Sequence, residues 1–453
     1  MASSRPQPSP SRHALPLWFL LSAFLLMLML VPRTAHAVPS FARQTGMQCS
    51  GCHTVFPQLN SFGRQFKLRA YTLGNANADA AFPANLPVSA ILQITRTSTA
   101  NSSGVDPEML PRDRQTIAQT TGVYYAGRIT ERTGAMVQYS HDGIERRWGV
   151  EMADIRFADA TTIAGGRDLL FGVTLNNAPT LTDVWNSTPM WSFPHVDSAG
   201  VMPAASTMLD MQLNSQVGGV TAYAYFDNLV YAEAGFYRSA KTGVMRPLGW
   251  GVEKTRVVDG YAPYWRLALQ REFGAHSVSA GFLGLNTKVL LDPNDASMSS
   301  DRFRDFALDA QYQYVEGEHA LSSHALYMRE RQRLAASFAQ GMASNESNTL
   351  KAARIGAHYA YRRMLGGGVQ VFSTRGSADS MRYGMGPVMG SANGRPDTAG
   401  WVAELDYLPV ENVKLALRRT AYRKFNGGTS DYDGFGRNAT DNNSWFLMGW
   451  FMF

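Results

Sequence analysis

Apolar and polar residues alternate one by one along most of this chain, from about Leu86 to the last residue. The alternating segments are roughly ten residues long and are separated by turn residues. In one of them, Phe306 and Leu308 fall on one side, and Asp305 and Asp309 fall on the other. Because adjacent side chains of a β-strand point to opposite faces, each segment predicts a strand with one apolar and one polar face. A soluble β-sandwich would show similar alternation. The lengths of the links between the segments are therefore needed to distinguish a sandwich from a barrel.

Those links alternate between short and long, as the periplasmic turns and extracellular loops of an outer-membrane β-barrel do. The predicted short links are Glu131–Gly134, Phe226–Asn228, Arg271–His276, Val315–Glu318, Arg362–Gly368 and Leu408–Asn412, and the predicted long links are Thr97–Asp113, Pro179–Ser215, Ala240–Asp259, Asn286–Asp301, Ala335–Asn348, Thr374–Asp397 and Lys424–Asn443. The fold class predicted for residues 86–453 is therefore all-β. It is a transmembrane antiparallel barrel of about sixteen strands, an even number that returns the C-terminus to the periplasmic side.

The end of the chain supports this prediction. In residues Trp445–Phe453, apolar residues occupy alternate positions and the last residue is a Phe. This pattern looks like the insertion signal of bacterial outer-membrane barrels. The alternative is a buried edge strand of a soluble protein. Such a strand would rarely run to the last residue with nothing to cover it.

The N-terminus predicts export. Arg5 and Arg12 precede an apolar run at residues 17–31, and residues 35–37 read Ala-His-Ala, a small-residue cleavage pattern. The apolar run is shorter than the ~20 residues that a membrane-spanning helix needs. A cleaved signal peptide spanning residues 1–37 is the prediction, with a retained anchor as the alternative.

Composition narrows the function classes. The aromatic content of 11% and the 41 glycines favour strands and turns over a helical bundle. The net charge is +6, without a dense basic run, so nothing in the sequence supports a nucleic-acid partner. The chain has two cysteines, too few for a disulfide framework.

Both cysteines belong to Cys49-Ser50-Gly51-Cys52-His53, the spacing that covalent c-type haem attachment requires. Two thiols add to the two vinyl groups of one haem, and the adjoining His53 becomes an axial ligand of its iron. A structural zinc site would need a second pair of ligands, and the chain has no second pair. A thioredoxin-like redox pair would lie in a βαβ unit, which this stretch does not resemble.

The haem motif lies in a short segment, residues 38–85, that is too small for a hydrophobic core of its own unless a covalent or metal staple holds it. Apolar residues that recur at helical spacing could cover one haem face, and basic residues among them could bind the propionates or form a solvated helix face. The apolar residues are Phe56, Leu59, Phe62 and Phe66, and the basic residues are Arg64, Lys67 and Arg69.

The segment resembles a known family. Residues 39–53 read PSFARQTGMQCSGCH and are followed by Phe56-Pro57-x-Leu59 and Phe62-Gly63-Arg64-x-Phe66-Lys67. This pattern is similar to that of the fused outer-membrane cytochrome–porins, best known as ferrous-iron oxidases of iron-oxidising bacteria. The loop containing Leu175–Pro179, Asp183–Trp185 and Pro189–Pro194 also looks like the porin half of that family. The resemblance implies that Cys49 and Cys52 hold haem c, with His53 as proximal ligand.

A single haem cannot carry electrons through a barrel whose apolar band is about 25 Å tall if it hangs in the periplasm. We therefore expect residues 38–85 to fold into the barrel as a plug and to bring the haem towards the outer face. Charges on the lumen side could hold the plug, although any water-filled lumen carries mixed charge. The acidic residues are Asp154, Glu233, Asp309, Glu404 and Asp406, and the basic residues are Arg128, Arg156, Arg266, Arg354 and Arg418.

The distal iron ligand is left open by the sequence. Residues 54–85 contain neither His nor Met, and Met47 is too closely tied to Cys49 to reach the opposite haem face. The weak candidates are His358, placed on the lumen face by the strand pattern, and His195 and Met190 in a long loop. Water is the remaining possibility.

The predicted function is electron transfer across the outer membrane, with extracellular Fe(II) as donor and a periplasmic cytochrome as acceptor. Two alternatives stay open. A solute-diffusion porin could carry a periplasm-facing haem that takes no part in iron oxidation. A haem enzyme or gas sensor would keep an open sixth position on the iron.

Overall fold

The computed structural model describes residues 39–453 apart from 74–85, 104, 107–109, 111, 164, 186, 188–199, 240–255 and 296. These residues all belong to one compact unit. The predicted signal peptide, residues 1–37, lies outside the described residues. None of the helices in the described ranges combines the length and the apolar character that crossing a membrane requires.

The chain begins with a compact haem-motif segment, which we call the plug and define as residues 39–73. It consists of helix α1 (Pro39–Thr45), helix α2 (Cys49–Cys52), the short strands β1 (His53–Val55) and β2 (Gln58–Leu59), and helix α3 (Ser61–Leu68). Strands β1 and β2 pair antiparallel.

The strands that follow form a closed antiparallel barrel, sixteen in number in the part of the chain that the structure describes. These strands are β3 Val88–Thr99, β4 Thr116–Arg128, β5 Thr133–Asp142, β6 Arg147–Ile163, β7 Arg167–Asn176, β8 Val217–Phe226, β9 Val230–Ser239, β10 Ala262–Phe273, β11 His276–Leu290, β12 Ser300–Glu316, β13 His319–Arg333, β14 Ser347–Tyr361, β15 Leu365–Gly376, β16 Thr398–Val410, β17 Val413–Lys424 and β18 Ser444–Met452. The C-terminal strand β18 closes the barrel by pairing with β17 and β3. The predicted fold class is confirmed.

The predicted alternation sorts residues between the lumen and the outer surface. On β12, Phe306 and Leu308 are exposed on the outside, whereas Asp305 and Asp309 are buried on the lumen side. An apolar exterior and a polar interior are what a lipid-embedded barrel requires, because lipid offers no hydrogen-bond partners.

Each predicted short and long link has a counterpart, but the links between β5 and β6 (residues 143–146) and between β6 and β7 were not predicted, and the first of them is short although it lies on the side of the long links. The bounds of one predicted link also differ. The predicted short link Arg362–Gly368 is shorter in the structure, because β15 already begins at Leu365. The glycines of the predicted link are typical of a turn, but in the structure they belong to strand β15 and pair within the sheet. A Cβ on Gly366 would lie 2.3 Å from Asp406 Oδ2, so a side chain there would collide with the facing strand.

Smaller helical elements lie in the links. Helix α4 spans Ala335–Ala339, 3₁₀-helices span Pro179–Leu181 and Ala439–Asn442, and a π-helix spans Met208–Gln212. The link between β7 and β8 carries the first 3₁₀-helix and the π-helix, and its residues contact lumen-facing side chains. Asp183 lies 3.6 Å from Arg266, and the backbone N–H of Leu209 donates to Asp305 at 2.7 Å. This lumen loop therefore folds inward.

The plug lies inside the barrel, since it contacts strands on several sides of it. Thr54 lies 3.3 Å from Ser322 on β13, Arg64 donates to Gln313 on β12 at 2.7 Å, and the Tyr71 hydroxyl donates to Asp154 on β6 at 2.6 Å. The plug also binds the lumen loop, where Lys67 Nζ donates to the carbonyl of Leu181 at 2.5 Å.

Charged residues on the lumen side mostly occur in close pairs. Arg156 lies 2.8 Å from Asp154, and Arg266 lies 2.7 Å from Asp309. Of the charges predicted to hold the plug, Asp154 does so through Tyr71. Pairing satisfies charges that would otherwise be costly to bury.

The first prediction concerns the lipid-facing surface. Leu308 lies at the middle of β12 and is 46% exposed on the outside of the barrel. Leu308→Arg is expected to lower the free energy of unfolding by about 2–4 kcal/mol, because a charge would face the centre of the bilayer. The measurement is urea-induced unfolding in phospholipid vesicles. Leu308→Ala, the uncharged control, should cost clearly less, and equal losses for both variants would contradict the assigned orientation.

Candidate functional site

The haem motif is shaped by Asn60, which joins α2 to α3. Its backbone N–H donates to the carbonyl of Cys52 at 2.8 Å, and its side-chain amide donates to the carbonyl of Gly51 at 2.9 Å. Its Oδ1 accepts from the backbone N–H of Gly63 at 2.9 Å and so caps α3. An N-terminal cap of this kind stabilises a helix by about 1 kcal/mol. One side chain thus fixes the motif and the helix that packs against it.

Gly63 allows the two helices to touch. A Cβ at this position would lie 2.2 Å from the carbonyl oxygen of Cys52, an overlap that backbone movement alone could relieve. The glycine in the pattern after the motif is therefore a packing requirement, because the helix backbone approaches the motif directly.

A cavity of about 980 Å³, part of it open to solvent, lies between the plug and the barrel wall. Cys49, Cys52 and His53 all line it, as the motif predicts. The remaining wall is mainly apolar and comes from both the plug and the strands. It includes Phe41, Phe56, Leu59, Phe66 and Tyr71 from the plug, Leu181 from the lumen loop, and Tyr124, Met136, Met152, Trp450 and Met452 from the barrel.

His53 is oriented for binding a metal. Its Nδ1 lies 2.9 Å from the carbonyl oxygen of Pro57, an interaction that places the proton on Nδ1 and leaves the Nε2 lone pair for a ligand bond. Burial lowers the pKa of His53 to about 4, so the imidazole is neutral at physiological pH. A neutral imidazole is the form that binds iron.

The two thiols differ in their surroundings. Burial raises the pKa of Cys52 to about 11, which keeps it a thiol rather than a thiolate. Cys49 lies beside Glu411 in the turn between β16 and β17. Its backbone N–H donates to Glu411 Oε2 at 3.2 Å, and its Sγ lies 3.0 Å from the same oxygen. The first cysteine is thereby fixed to a short turn of the barrel.

The motif consequently lies at the short-turn end of the barrel. Arg363, in another short turn, donates to the carbonyl of Ser50 at 2.9 Å. The expectation that the plug brings the haem towards the outer face is therefore wrong. Contacts with Glu411 and Arg363 hold the motif at the end of the barrel where the short turns, and the end of β18, also lie.

Most of the residues predicted to cover the haem do line the cavity, but two groups need correction. Phe62 is 42% exposed and is not part of the wall. Of the predicted basic residues, Lys67 lines the cavity, whereas Arg64 donates to Gln311, Gln313 and Ser277 of the barrel. Arg64 anchors the plug, and Arg69 is exposed.

Lys67 is buried, and its burial lowers its pKa to about 8, with repulsion from Arg156 acting in the same direction. A carboxylate next to it would stabilise its charged form. Lys67 therefore fits a haem propionate better than the other two basic residues.

The candidates for the distal iron ligand do not line the cavity as a group. His358 lies on the lumen face, as predicted, but is not part of the cavity wall, and its Nε2 lies 2.5 Å from Asp406. His358 as distal ligand therefore stays a prediction without support from the cavity, because facing the lumen does not fix the position of a residue around and along the barrel. His195 and Met190 lie outside the described residues. Met47 lines the cavity beside the motif, since its Cε would lie 2.8 Å from a Cβ on Gly51.

Sequence reasoning missed the contribution of the barrel wall. Phe56 packs edge to face against Trp450, with ring centroids 4.8 Å apart. The signal was present in the last strand, whose lumen-facing positions are Phe446, Met448, Trp450 and Met452. Four apolar residues are unnecessary in a water-filled lumen but suit the wall of an apolar cofactor site.

The residues present fit haem c. Two thiols and an imidazole meet at one cavity, apolar and aromatic side chains supply its walls, and Lys67 supplies a cation. The Trp450 Nε1 proton is buried without a hydrogen-bond partner among the described residues, as expected of a donor that serves a bound polar group. Cys49, Cys52 and His53 would hold the group.

The motif is also accessible from the short-turn end. A second, more open cavity there is lined by Cys49, Ser50 and His53 on the plug side. On the barrel side it is lined by residues 317–318, 362–364 and 411 of the short turns and by residues 408–410 at the end of β16. A partner at this end of the barrel could therefore approach the motif directly.

The comparisons with known proteins concern the fold. No family model and no curated protein matches the sequence. A solved structure of Salmonella typhi OmpF in complex with daunomycin aligns with TM-score 0.47 and 13% identity over 81% of this chain and 97% of that chain. A loop L8 deletion mutant of OmpT, an outer membrane protein of Vibrio cholerae, aligns with TM-score 0.43 and 10% identity over 81% and 98%. The outer membrane channel DcaP of Acinetobacter baumannii aligns with TM-score 0.42 and 12% identity over 81% and 96%.

The class of protein follows from the barrel itself. A closed antiparallel barrel with an apolar outer surface pairs each described strand with two neighbours, which is how a β-structure meets its backbone hydrogen bonds within lipid. The protein is an integral, porin-like β-barrel of the bacterial outer membrane.

The second prediction concerns how the plug is seated. A Cβ on Gly134 of β5 would lie 2.1 Å from the carbonyl oxygen of Ala70, so the barrel wall makes room for the end of the plug at this glycine. Gly134→Ala is expected to loosen the plug and increase its cleavage in limited proteolysis of the folded protein. Gly386→Ala is the control, because its Cβ would meet nothing closer than 4.0 Å. Cleavage of both variants at the wild-type rate, with unheated samples still running as folded barrels, would contradict this seating.

Proposed function

We propose that the protein is an outer-membrane c-type cytochrome within a porin-like barrel, which passes electrons from extracellular Fe(II) to a periplasmic electron carrier. The observation that carries the proposal is the convergence of Cys49, Cys52 and His53 on one apolar cavity between the plug and the barrel wall. The resemblance of the plug sequence to fused cytochrome–porins supports Fe(II) as the donor.

A bound haem c would supply reversible one-electron transfer at its iron. The chain supplies the rest. Cys49 and Cys52 would fix the group covalently, and His53, held by the carbonyl of Pro57, would present Nε2 to the iron. The apolar walls around the buried Lys67 lower the local dielectric, which would strengthen the interaction of Lys67 with a propionate.

The position of the haem motif determines how the periplasmic carrier and the extracellular donor could each exchange electrons with it. The open cavity at the short-turn end, which is lined by the half-buried Cys49 and His53, suits a soluble periplasmic carrier. The donor side is separated from the motif by the rest of the barrel, whose lumen contains the inward-folded loop with Trp185 and Asp183. Electrons from outside would cross this protein-filled region, and each Fe(II) would leave as Fe(III) outside the cell.

A solute channel is the second candidate function, favoured by the size of the barrel. A barrel of about sixteen strands is wide enough for an aqueous path. The plug and the lumen loop occupy part of this lumen and bind each other through Lys67 and Leu181. A channel function alone would also leave the covalent haem motif without a role.

The third prediction tests electron transfer directly. Haem-loaded full-length protein is inserted into liposomes that enclose an oxidised soluble c-type cytochrome, and Fe(II) is added outside. We expect rapid reduction of the enclosed cytochrome, because electrons from Fe(II) would reach the haem through the protein-filled lumen and leave it at the short-turn end. The double variant Cys49→Ser/Cys52→Ser cannot attach haem covalently and should abolish the reduction.

Conductance in planar bilayers is the companion measurement. Ionic conductance of the double variant equal to that of the wild type would show that its barrel is intact. A wild-type protein that conducts ions but leaves the enclosed cytochrome oxidised would contradict the proposed function and support the channel.

A further inference from the structure

Four methionines of the described chain line the cavity, and they are not equivalent. Met152 and Met452 are buried with 1% and 3% exposure, so other side chains already cover them. Met47 and Met136 are partly buried and keep accessible surface in the cavity wall. These two thioethers are therefore the ones with room to bind a haem iron.

Met47 and Met136 lie on different sides of the cavity. Met47 precedes the motif and packs against Gly51, within the same turn of chain that holds the haem thiols. Met136 belongs to β5, and its neighbour on β6, Asp154, binds Tyr71 of the plug. The side chain of Met136 therefore faces the plug from the barrel wall.

The barrel topology places Met136 opposite His53. Thr54, the residue after His53, contacts Ser322 on β13 at 3.3 Å. In the closed ring of sixteen described strands, β5 lies eight positions from β13 in either direction. The histidine side of the motif and Met136 thus belong to opposite walls of the lumen. Met452 on β18 lies five positions from β13, which is closer to the histidine side.

We propose that Met136 is the distal ligand of the haem iron, so that the barrel wall completes a haem site begun by the plug; this inference rests on the haem attachment in the proposed function. A thioether is a soft, neutral ligand, and His/Met ligation raises the reduction potential of a c-type haem. The flexible side chain of Met can adjust its sulfur to the iron, as a rigid residue on a strand could not.

The ligand assignment has a structural consequence. The bond joins the plug to β5 across the lumen, next to Gly134, where the wall already accommodates Ala70 of the plug. The complete haem site can therefore form when the plug is seated in the closed barrel, and the electronic properties of the haem depend on that seating.

The test uses haem-loaded full-length protein and the variant Met136→Leu, which nearly conserves side-chain volume. We expect it to lose the weak near-infrared sulfur-to-iron charge-transfer band of the ferric haem. It should also bind carbon monoxide at the ferrous iron, which the wild type resists, and show a lower reduction potential. Met152→Leu, Met452→Leu and Met47→Leu are matched controls that should retain the charge-transfer band and the resistance to carbon monoxide, because none of them is the proposed ligand.

Met136→His provides a second variant, because it replaces the ligand instead of removing it. It should give the spectrum of a bis-histidine haem, resist carbon monoxide and have a lower reduction potential than the wild type. A merely structural role for Met136 would not produce this spectrum.

The possible results distinguish a failure of the Met136 assignment from a failure of the proposed function. A charge-transfer band that survives in Met136→Leu, or that is lost in one of the control variants, would overturn the assignment to Met136. A wild type whose haem shows no thioether signature would overturn it as well. Haem content of each preparation is measured first, and a wild-type chain without covalent haem would overturn the proposed function too.

Discussion

The packing of the plug against the lumen side of the barrel is the interaction on which the rest of the structure depends. The plug is too short to form a core of its own, so its apolar residues need an external surface to be buried against. Strand β18 and its neighbours provide this surface, through Trp450, Met452 and Tyr124. The contact between Phe56 and Trp450 is its clearest element.

This constraint explains why part of the lumen departs from the usual polarity of a porin. Elsewhere in the lumen, charged and polar side chains pair with one another or with the plug, as Arg156 does with Asp154 and Gln313 does with Arg64. Beside the motif, the same lumen face becomes apolar. The barrel therefore serves as the membrane anchor of the plug and as half of its hydrophobic core.

Much of the fold could be predicted from the sequence because its signals are local. Strand alternation has a period of two, and a strand such as β12 shows it in consecutive residues. The haem motif is equally local, since Cys49, Cys52 and His53 are separated by a few positions. The glycines from Gly366 onwards led to a predicted turn that is too long. The sequence does not distinguish a glycine required by close packing within a sheet from one required by a turn.

The shape of the cavity could not be predicted, because it depends on which distant strands face each other across the lumen. Met136 and His53 are distant in the sequence and line the same cavity because of barrel closure and plug insertion. His358 shows the converse limit. Its strand pattern correctly placed it on the lumen face, but nothing in the pattern revealed that its imidazole would bind Asp406.

The central claim is that the two thiols of the plug carry one haem. The most direct test is mass spectrometry of the protein matured in a bacterial periplasm equipped for cytochrome c assembly, followed by sequencing of the peptide that contains Cys49 and Cys52. The account predicts one haem per chain, bound through both cysteines of that peptide. Unmodified thiols, or a disulfide between them, in a correctly folded barrel would contradict it.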